Sequence, residues 1–184
     1  MKTKYLSALL ITGAMALGTT PAIAHSSEEP EQLNFSCQVV NGIPTTLAQS
    51  ADSEATMPIF HWKQEAVRNY THDTPKQLCD RATAELESYS AQGYNLSKIS
   101  FVGTEQLGLP ALCANTAGGS NCNKVLLTLA KNKQADIVAK NVVDSIIDKD
   151  LKQYKQEGFN DRGLQSTSYQ VDFWSLFGLK FLGK

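Results

Sequence analysis

The feature that most constrains the fold of this chain is its set of four cysteines. They are Cys37, Cys79, Cys113 and Cys122, and no cysteine is left over. A zinc site would show a Cys-x-x-Cys spacing or neighbouring histidines, and these four positions have neither. A catalytic thiol would be an unpaired cysteine with a histidine partner. An even set of this kind predicts two disulfides if the chain matures in an oxidising compartment.

The first 24 residues predict such a compartment, because they contain the three parts of a secretory signal in order. Lys2 and Lys4 give a positive start, residues 5–17 are apolar, and Ala22-Ile23-Ala24 is a small-x-small cleavage site. An N-terminal membrane anchor is the alternative, but it needs about 20 apolar residues. We expect a signal peptide over residues 1–24, followed by a polar, flexible leader over residues 25–33.

The net charge of the exported chain argues against nucleic acid as a partner. The whole chain has 17 Lys and Arg against 18 Asp and Glu, and cleavage after Ala24 removes Lys2 and Lys4. A formal net charge of −3 remains, whereas nucleic-acid-binding domains normally carry a basic patch. No later segment is long and apolar enough to cross a membrane. We therefore expect an exported protein that binds no nucleic acid, and the sequence identifies no small-molecule ligand.

The pattern of turns, alternation and helical spacing predicts an α+β fold in the order βββαβββα. It is a two-layer sandwich in which an antiparallel sheet of about six strands packs on two helices. The first helix begins with a capping box at Thr74 and Gln77, has Pro75 at its first position, and ends before Gly93. The predicted helices span residues 74–92 and 134–156, and the predicted strands span residues 35–40, 43–47, 58–62, 98–104, 109–115 and 124–130.

The four cysteines allow three pairings. We favour Cys113–Cys122, which closes a short loop across Gly118-Gly119, and this leaves Cys37–Cys79. Helical spacing places Cys79 on the apolar face of the first helix, where it can meet Cys37 of the first strand. The other two pairings stay open on this reasoning.

The patterns typical of enzymes are missing, including Gly-x-Ser-x-Gly, glycine-rich phosphate loops and His-Glu-x-x-His. We therefore predict no catalytic residues, no metal ligands and no cofactor. An opposing hypothesis is an exported enzyme or enzyme inhibitor with a site near His61 and His72. The alternative is that His61 has only a structural role in a strand, where Phe60 and Trp62 face one side and His61 faces the other.

The C-terminal residues give the strongest indication of a contact surface in this chain. Residues 157–168 are polar and predict a linker, and residues 169–184 form an apolar aromatic tail. On a helical wheel its large side chains cluster, which predicts contact with a membrane or a partner. Those contact residues are Phe173, Trp174, Leu176, Phe177 and Phe181. The alternative is a last strand or helix docked on the core, and both interpretations stay open.

From residue 34 to about residue 150, the chain resembles the cyanobacterial family of circadian oscillating peripheral membrane proteins. The motifs that carry the resemblance follow the cysteines. They are Phe35-Ser-Cys37, Gly42-Ile-Pro44-Thr-Thr46, Pro58-Ile-Phe-His-Trp62, Thr74-Pro75 leading to Cys79, Leu109-Pro110-Ala-Leu-Cys113, Gly118-Gly119 to Cys122, and Leu126-Leu-Thr-Leu129. The chain departs from the family where Leu78 replaces an arginine and where Leu107-Gly108-Leu109 replaces an Asn-Gly pair. The aromatic tail lies outside the resemblance.

The resemblance implies both disulfides and placement in the periplasm or the thylakoid lumen, and export by itself also allows the extracellular medium. The resemblance also implies peripheral association with a membrane, and it provides no catalytic residue set to carry over. Our leading hypothesis is an exported, non-enzymatic protein that associates peripherally with a membrane surface or with membrane proteins.

Overall fold

The computed structural model describes residues 33–51 and 54–182, with side chains described up to residue 178. The predicted signal peptide, residues 25–32 of the leader and the last two residues lie outside this part. The described residues form the strands β1 (Leu33–Val40), β2 (Ile43–Ser50), β3 (Thr56–His61), β4 (Lys98–Gln106), β5 (Leu109–Asn115), β6 (Lys124–Thr128), β7 (Lys155–Phe159) and β8 (Gln165–Asp172). The helices are α1 (Gln64–Val67), α2 (Pro75–Ala91), α3 (Ala135–Ile146) and α4 (Phe173–Leu182), and a 3-10 helix spans Lys149–Tyr154.

The strands form two antiparallel sheets, which confirms the predicted α+β class. β1, β2 and β3 make a three-stranded sheet, and a five-stranded sheet has the order β6-β5-β4-β8-β7. The predicted turn at Asn41 and Gly42 joins β1 to β2, with φ angles of 51° and 80°. Asparagine and glycine tolerate such positive angles, which a two-residue hairpin turn requires. The expected sheet of about six strands is thus two sheets of three and five strands.

Helix α2 begins as predicted. The hydroxyl of Thr74 accepts a hydrogen bond from the backbone N–H of Gln77, and the Gln77 side chain accepts one from the backbone N–H of Thr74. This capping box satisfies two donors at the helix start. Both favoured disulfides are confirmed: Cys37–Cys79 joins β1 to the buried face of α2, and Cys113–Cys122 joins β5 to the loop before β6.

The second predicted helix is interrupted. α3 ends at Ile146 because Ile147 has an extended backbone with ψ 141° and forms a bridge with Phe60 of β3. Asp148 then begins the 3-10 helix, where its side chain accepts a hydrogen bond from the backbone N–H of Asp150 at 2.8 Å. The interruption brings Asp148 beside β3.

Residues 157–168 are not a linker. Most of them belong to the hairpin of β7 and β8, and β8 pairs with β4 inside the five-stranded sheet. The turn residues that suggested a linker form the hairpin turn instead. The Asn160 side-chain oxygen accepts hydrogen bonds from the backbone of Arg162 and Leu164, and Gly163 has φ 71°. The folded unit therefore extends past the predicted boundary at residue 156 into α4.

One face of the five-stranded sheet packs against α3, and we call it the α3 face. It includes Ile99, Phe101 and Gly103 of β4, with Tyr169 of β8. Gly103 is required there, because a Cβ at this position would lie only 2.7 Å from the carbonyl oxygen of Ala139 on α3. Only glycine at position 103 allows α3 to approach the sheet this closely.

The opposite face of this sheet has smaller and more polar side chains at its centre, and we call it the loop face. Its central residues are Ser100 and Val102 on β4, which pair with Gln170 and Ser168 on β8. Ser166 lies two residues before Ser168 and shares its side of the sheet. All but Gln170 are buried. Residues 114–121, between the cysteines of the Cys113–Cys122 disulfide, are called the disulfide loop.

Candidate functional site

The apolar tail is the first candidate site, and the structure places its residues in two different environments. Phe173 and Phe177 are 0% and 1% exposed and stack with ring centroids 6.0 Å apart. Both belong to the main hydrophobic core. Their predicted role as exposed contact residues is therefore corrected, and the docking alternative describes them. An i, i+4 pair points to one side of a helix, and here that side faces the core.

The other predicted contact residues are placed differently. Trp174 is 39% exposed, which puts it among the exposed large apolar side chains of the described residues. Leu176 is partly buried and packs against the core. Phe181 falls in α4, but its side chain lies outside the described part. Of the four predicted residues whose side chains are described, Trp174 is thus the one that the structure presents to solvent.

His61, the centre of the opposing hypothesis, lies on β3 as strand alternation predicts. Phe60 and Trp62 are fully buried, and their rings meet edge to face at 5.6 Å. The Trp62 indole donates a hydrogen bond to the hydroxyl of Thr46 at 2.9 Å. The His61 side chain points to the other side and remains 26% exposed.

Asp148 is the main partner of His61. Its Oδ2 lies 2.7 Å from Nε2 of His61, and its side chain is only 6% exposed. Because an ionised carboxylate can only accept, Nε2 donates this hydrogen bond. Oδ1 of Asp148 accepts from the backbone of Asp150, and the backbone N–H of Asp148 donates to the carbonyl of Ile59 at 2.8 Å. The pair therefore connects β3 to the start of the 3-10 helix.

Thr45 completes a histidine, carboxylate and hydroxyl arrangement, because its Oγ1 lies 3.3 Å from Nδ1 of His61. Nucleophilic catalysis uses these groups when the hydroxyl is exposed and gives its proton to the imidazole. Here Thr45 is fully buried, and its hydroxyl donates instead to the carbonyl of Ile43 at 3.0 Å. The geometry therefore fits a cross-link between two parts of the fold.

His72 occupies a separate place. It is exposed in the loop that leads into α2, and it is not among the partners of His61 in the described part of the chain. Its neighbour Asp73 accepts a hydrogen bond from Thr71 and forms an ion pair with Arg81 at 3.0 Å. The structure thus does not bring the two predicted histidines into one site.

A small groove of about 250 Å³ lies beside Asp148. Its apolar lining comes from Met57 and Pro58 on β3, Leu151 on the 3-10 helix and Leu176 on α4. Ligand sites for drug-sized molecules usually enclose about 300–1,000 Å³, so this groove has room for little more than one side chain. Sequence reasoning missed it, because it joins segments more than a hundred residues apart.

A second polar network ties the C-terminal hairpin to α3. Asp144 on α3 accepts hydrogen bonds from the hydroxyl of Tyr169 at 2.5 Å and from Lys155 Nζ at 2.7 Å. Burial and the bond to Asp144 raise the pKa of Tyr169 far above its ordinary value. The bond to Asp144 also raises the pKa of Lys155, and the bond from Lys155 lowers the pKa of Glu157. Sequence analysis missed this network because residues 157–168 were predicted to be a linker.

Neither a metal-binding cluster nor a membrane-spanning helix occurs in the described part of the chain. Over residues 33–51 and 54–182, no three His, Cys, Asp or Glu side chains are grouped to hold a metal ion. The helices in this same part of the chain are too short or too polar to span a bilayer.

Comparison with protein families gives one match. The family model of circadian oscillating protein COP23 matches residues 34–177. The match begins in β1 and ends in α4, so it includes β7, β8 and the first half of the tail, which the sequence analysis had left outside the resemblance. Comparison with curated proteins and with solved structures gives no match.

Proposed function

The chain belongs to the family of circadian oscillating protein COP23, and on that premise we propose that it is an exported, non-enzymatic protein that associates peripherally with a membrane or with membrane proteins. Residues 1–24 act as its signal peptide. The mature chain resides in the periplasm, the thylakoid lumen or the extracellular medium. It uses no cofactor.

The two disulfides support export. Cys37–Cys79 and Cys113–Cys122 account for every cysteine of the chain. Disulfides form and persist in oxidising compartments and are rare where cellular thiols are kept reduced. The secretory pattern of residues 1–24 leads to the same compartment by an independent argument.

Trp174 is the observation that carries the membrane part of the proposal. Phe173 and Phe177 anchor α4 in the core, so Trp174 is presented on a fixed helix rather than on a loose tail. Tryptophan has an apolar body with one polar N–H, which suits the boundary between water and lipid or a protein interface. One ring on a fixed helix gives weak, reversible attachment, as expected of a peripheral protein.

The environment of His61 supports a non-enzymatic role. Nε2 is bonded to Asp148, and the hydroxyl of Thr45 beside Nδ1 is buried and donates its proton to the carbonyl of Ile43. A substrate would have to displace Asp148 to reach Nε2. In this proposal the histidine stabilises the contact between β3 and the 3-10 helix.

Fractionation of the cell envelope tests the proposal. The processed chain should sediment with membranes in low salt and be released by a carbonate wash, as peripheral proteins are. Trp174→Ala should move much of it to the soluble fraction. Leu107→Asn is the matched control, because it also removes an exposed apolar side chain, here on the β4–β5 turn, and should leave the distribution unchanged.

Two results would overturn the proposal. Recovery of the native chain wholly in the soluble fraction would contradict membrane association. An unprocessed chain with reduced cysteines in the cell interior would contradict export.

A further inference from the structure

The disulfide loop crosses the loop face of the five-stranded sheet. It leaves the sheet at the end of β5, and its far end lies against β7, where Ser120 Oγ is 3.9 Å from the point at which a Cβ on Gly158 would stand. The side chain of Asn121 donates a hydrogen bond at 2.6 Å to Asp161, in the turn between β7 and β8. Because β4 and β8 lie between β5 and β7 in the sheet, the loop passes over both strands.

Two hydroxyls of β8 lie under this loop without hydrogen-bond partners. Ser166 pairs with Gly158, which lies beside the loop, and Ser168 is two residues farther along the strand and points to the same side. The two serines are 2% and 0% exposed, and neither side-chain oxygen is hydrogen-bonded among the residues that the structure describes. A buried hydroxyl without a partner gives up its hydrogen bonds to water, which destabilises the covered state. Lifting the loop would restore those bonds.

Few hydrogen bonds hold the disulfide loop on the sheet beyond the end of β5. Asn121 bonds to Asp161 in an exposed position. The hydroxyl of Thr116 lies 3.4 Å from that of Tyr89, which is longer than the usual O–H···O distance of about 2.5–3.0 Å. In the described part of the chain, these two pairs connect the loop to other elements by side-chain hydrogen bonds. The Cys113–Cys122 disulfide is therefore the strongest constraint on the loop.

The two disulfides differ in the elements that contain their cysteines. Cys37 lies within β1 and Cys79 within α2, and both pack in the main hydrophobic core. Cys122 lies outside the strands and helices, is partly exposed, and packs against a small cluster around Val102. Exchange with an external thiolate needs access for the attacking sulfur and separation of the two cysteines. The loop can move away from β5, whereas β1 cannot leave α2 without disrupting the core.

We propose that Cys113–Cys122 is a redox-sensitive switch, whose reduction by a protein dithiol lifts the disulfide loop from the loop face while Cys37–Cys79 stays oxidised. A thiolate of the dithiol bonds to Sγ of Cys122, the S–S bond breaks, and Cys113 leaves as a thiolate. The second thiolate of the dithiol then attacks the mixed disulfide and releases Cys122. The two released thiolates take up the two protons that the dithiol gave up, and two electrons pass to the pair as the dithiol becomes a disulfide.

Graded reduction of the full, folded chain tests this switch. The oxidised protein is equilibrated without denaturant in mixtures of reduced and oxidised dithiothreitol, and free thiols are alkylated and assigned by mass spectrometry of peptides. We expect alkylation of Cys113 and Cys122 at ratios at which Cys37 and Cys79 remain joined, and recovery of the bond on re-oxidation. Reduction of Cys37–Cys79 first, or of both disulfides in one step, would overturn the proposal.

Hydrogen exchange of the selectively reduced chain shows whether the loop moves. The backbone N–H of Asp161 lies outside the loop and donates to the side-chain oxygen of Asn121 at 3.2 Å. If the loop lifts, this N–H loses its acceptor, so its exchange should become about tenfold faster while the amides of α3 keep their protection. Unchanged exchange at Asp161 after reduction would contradict the switch.

Substitution of the two serines tests whether their buried hydroxyls favour reduction. Ser166→Ala combined with Ser168→Ala removes the groups that regain water when the loop lifts. The equilibrium constant for reduction of Cys113–Cys122 should therefore fall about tenfold. Ser145→Ala is the matched control on the exposed side of α3 and should leave this constant unchanged. An equal constant in the double variant and the native chain would overturn the proposal.

Discussion

The two faces of the five-stranded sheet differ in the side chains that they bury and in the element that covers them. On the α3 face, a glycine allows close contact with a helix, and the buried Tyr169 hydroxyl has a charged acceptor in Asp144. On the loop face, a small apolar cluster around Val102 and Cys113 lies beside small polar side chains, and Ser166 and Ser168 have no hydrogen-bond partner in the described part of the chain. A helix covers the first face, and a short disulfide-closed loop covers the second. The difference indicates that packing against a helix stabilises the α3 face, whereas the Cys113–Cys122 disulfide holds the cover of the loop face.

Removal of the disulfides should have the largest effects and should separate the faces. In the chain-entropy model, replacing both Cys113 and Cys122 by alanine costs about 3 kcal/mol of unfolding free energy, and replacing Cys37 and Cys79 costs about 4 kcal/mol. The first variant should also lose hydrogen-exchange protection in the disulfide loop while α3 stays protected. Equal loss of protection in α3 would show that the two faces are not independent.

Gly103→Ala tests the packing of the α3 face. The new methyl group would meet the Ala139 carbonyl, so we expect a loss of about 1–3 kcal/mol in urea unfolding. Gly178→Ala on α4 is the matched control, because a Cβ there meets no atom within 4 Å. If Gly103→Ala is as harmless as the control, the close approach of α3 to β4 is wrong.

Tyr169→Phe tests the polar network on the same face. Loss of the bond to Asp144 should cost about 1–2 kcal/mol at pH 7. The pKa of Tyr169 is raised in the folded state, so its contribution is complete below its ordinary pKa of 10.0 and is lost as the pH rises above that value. The difference in the free energy of unfolding between the native chain and Tyr169→Phe, measured by urea unfolding, should therefore shrink above pH 10. A difference that grows with alkalinity would contradict the assigned contact.

Leu107→Asn should give the smallest change, and it should be stabilising. Leu107 has φ 53° and is 93% exposed, so it bears the strain of a left-handed backbone without gaining burial. Asparagine adopts this region more readily, and we expect a gain of about 0.5–1 kcal/mol in thermal or urea unfolding. A loss of stability would show that the leucine side chain makes a contact on this surface.

The sequence predicted those parts of the fold whose signals are local. The Asn41-Gly42 turn, the capping box at Thr74 and the disulfide across Gly118-Gly119 depend on neighbouring residues, and all three are confirmed. The match of the COP23 family model also confirms the family resemblance.

The missed parts depend on contacts between distant segments. β8 has the sequence Gln-Ser-Thr-Ser-Tyr-Gln-Val-Asp, in which both sides are polar over the first four residues, so the alternation that marks a half-buried strand begins only at Tyr169. The His61–Asp148 pair joins residues 87 positions apart. Burial of Phe173 and Phe177 could not be decided from a helical wheel, because an apolar stripe fits a core as well as a membrane.

Amide hydrogen exchange of the native chain and of the double variant Cys113→Ala, Cys122→Ala tests the division between the two faces most directly. The account predicts that the variant loses protection in the disulfide loop and keeps it in α3. An equal loss of protection in both regions would contradict it.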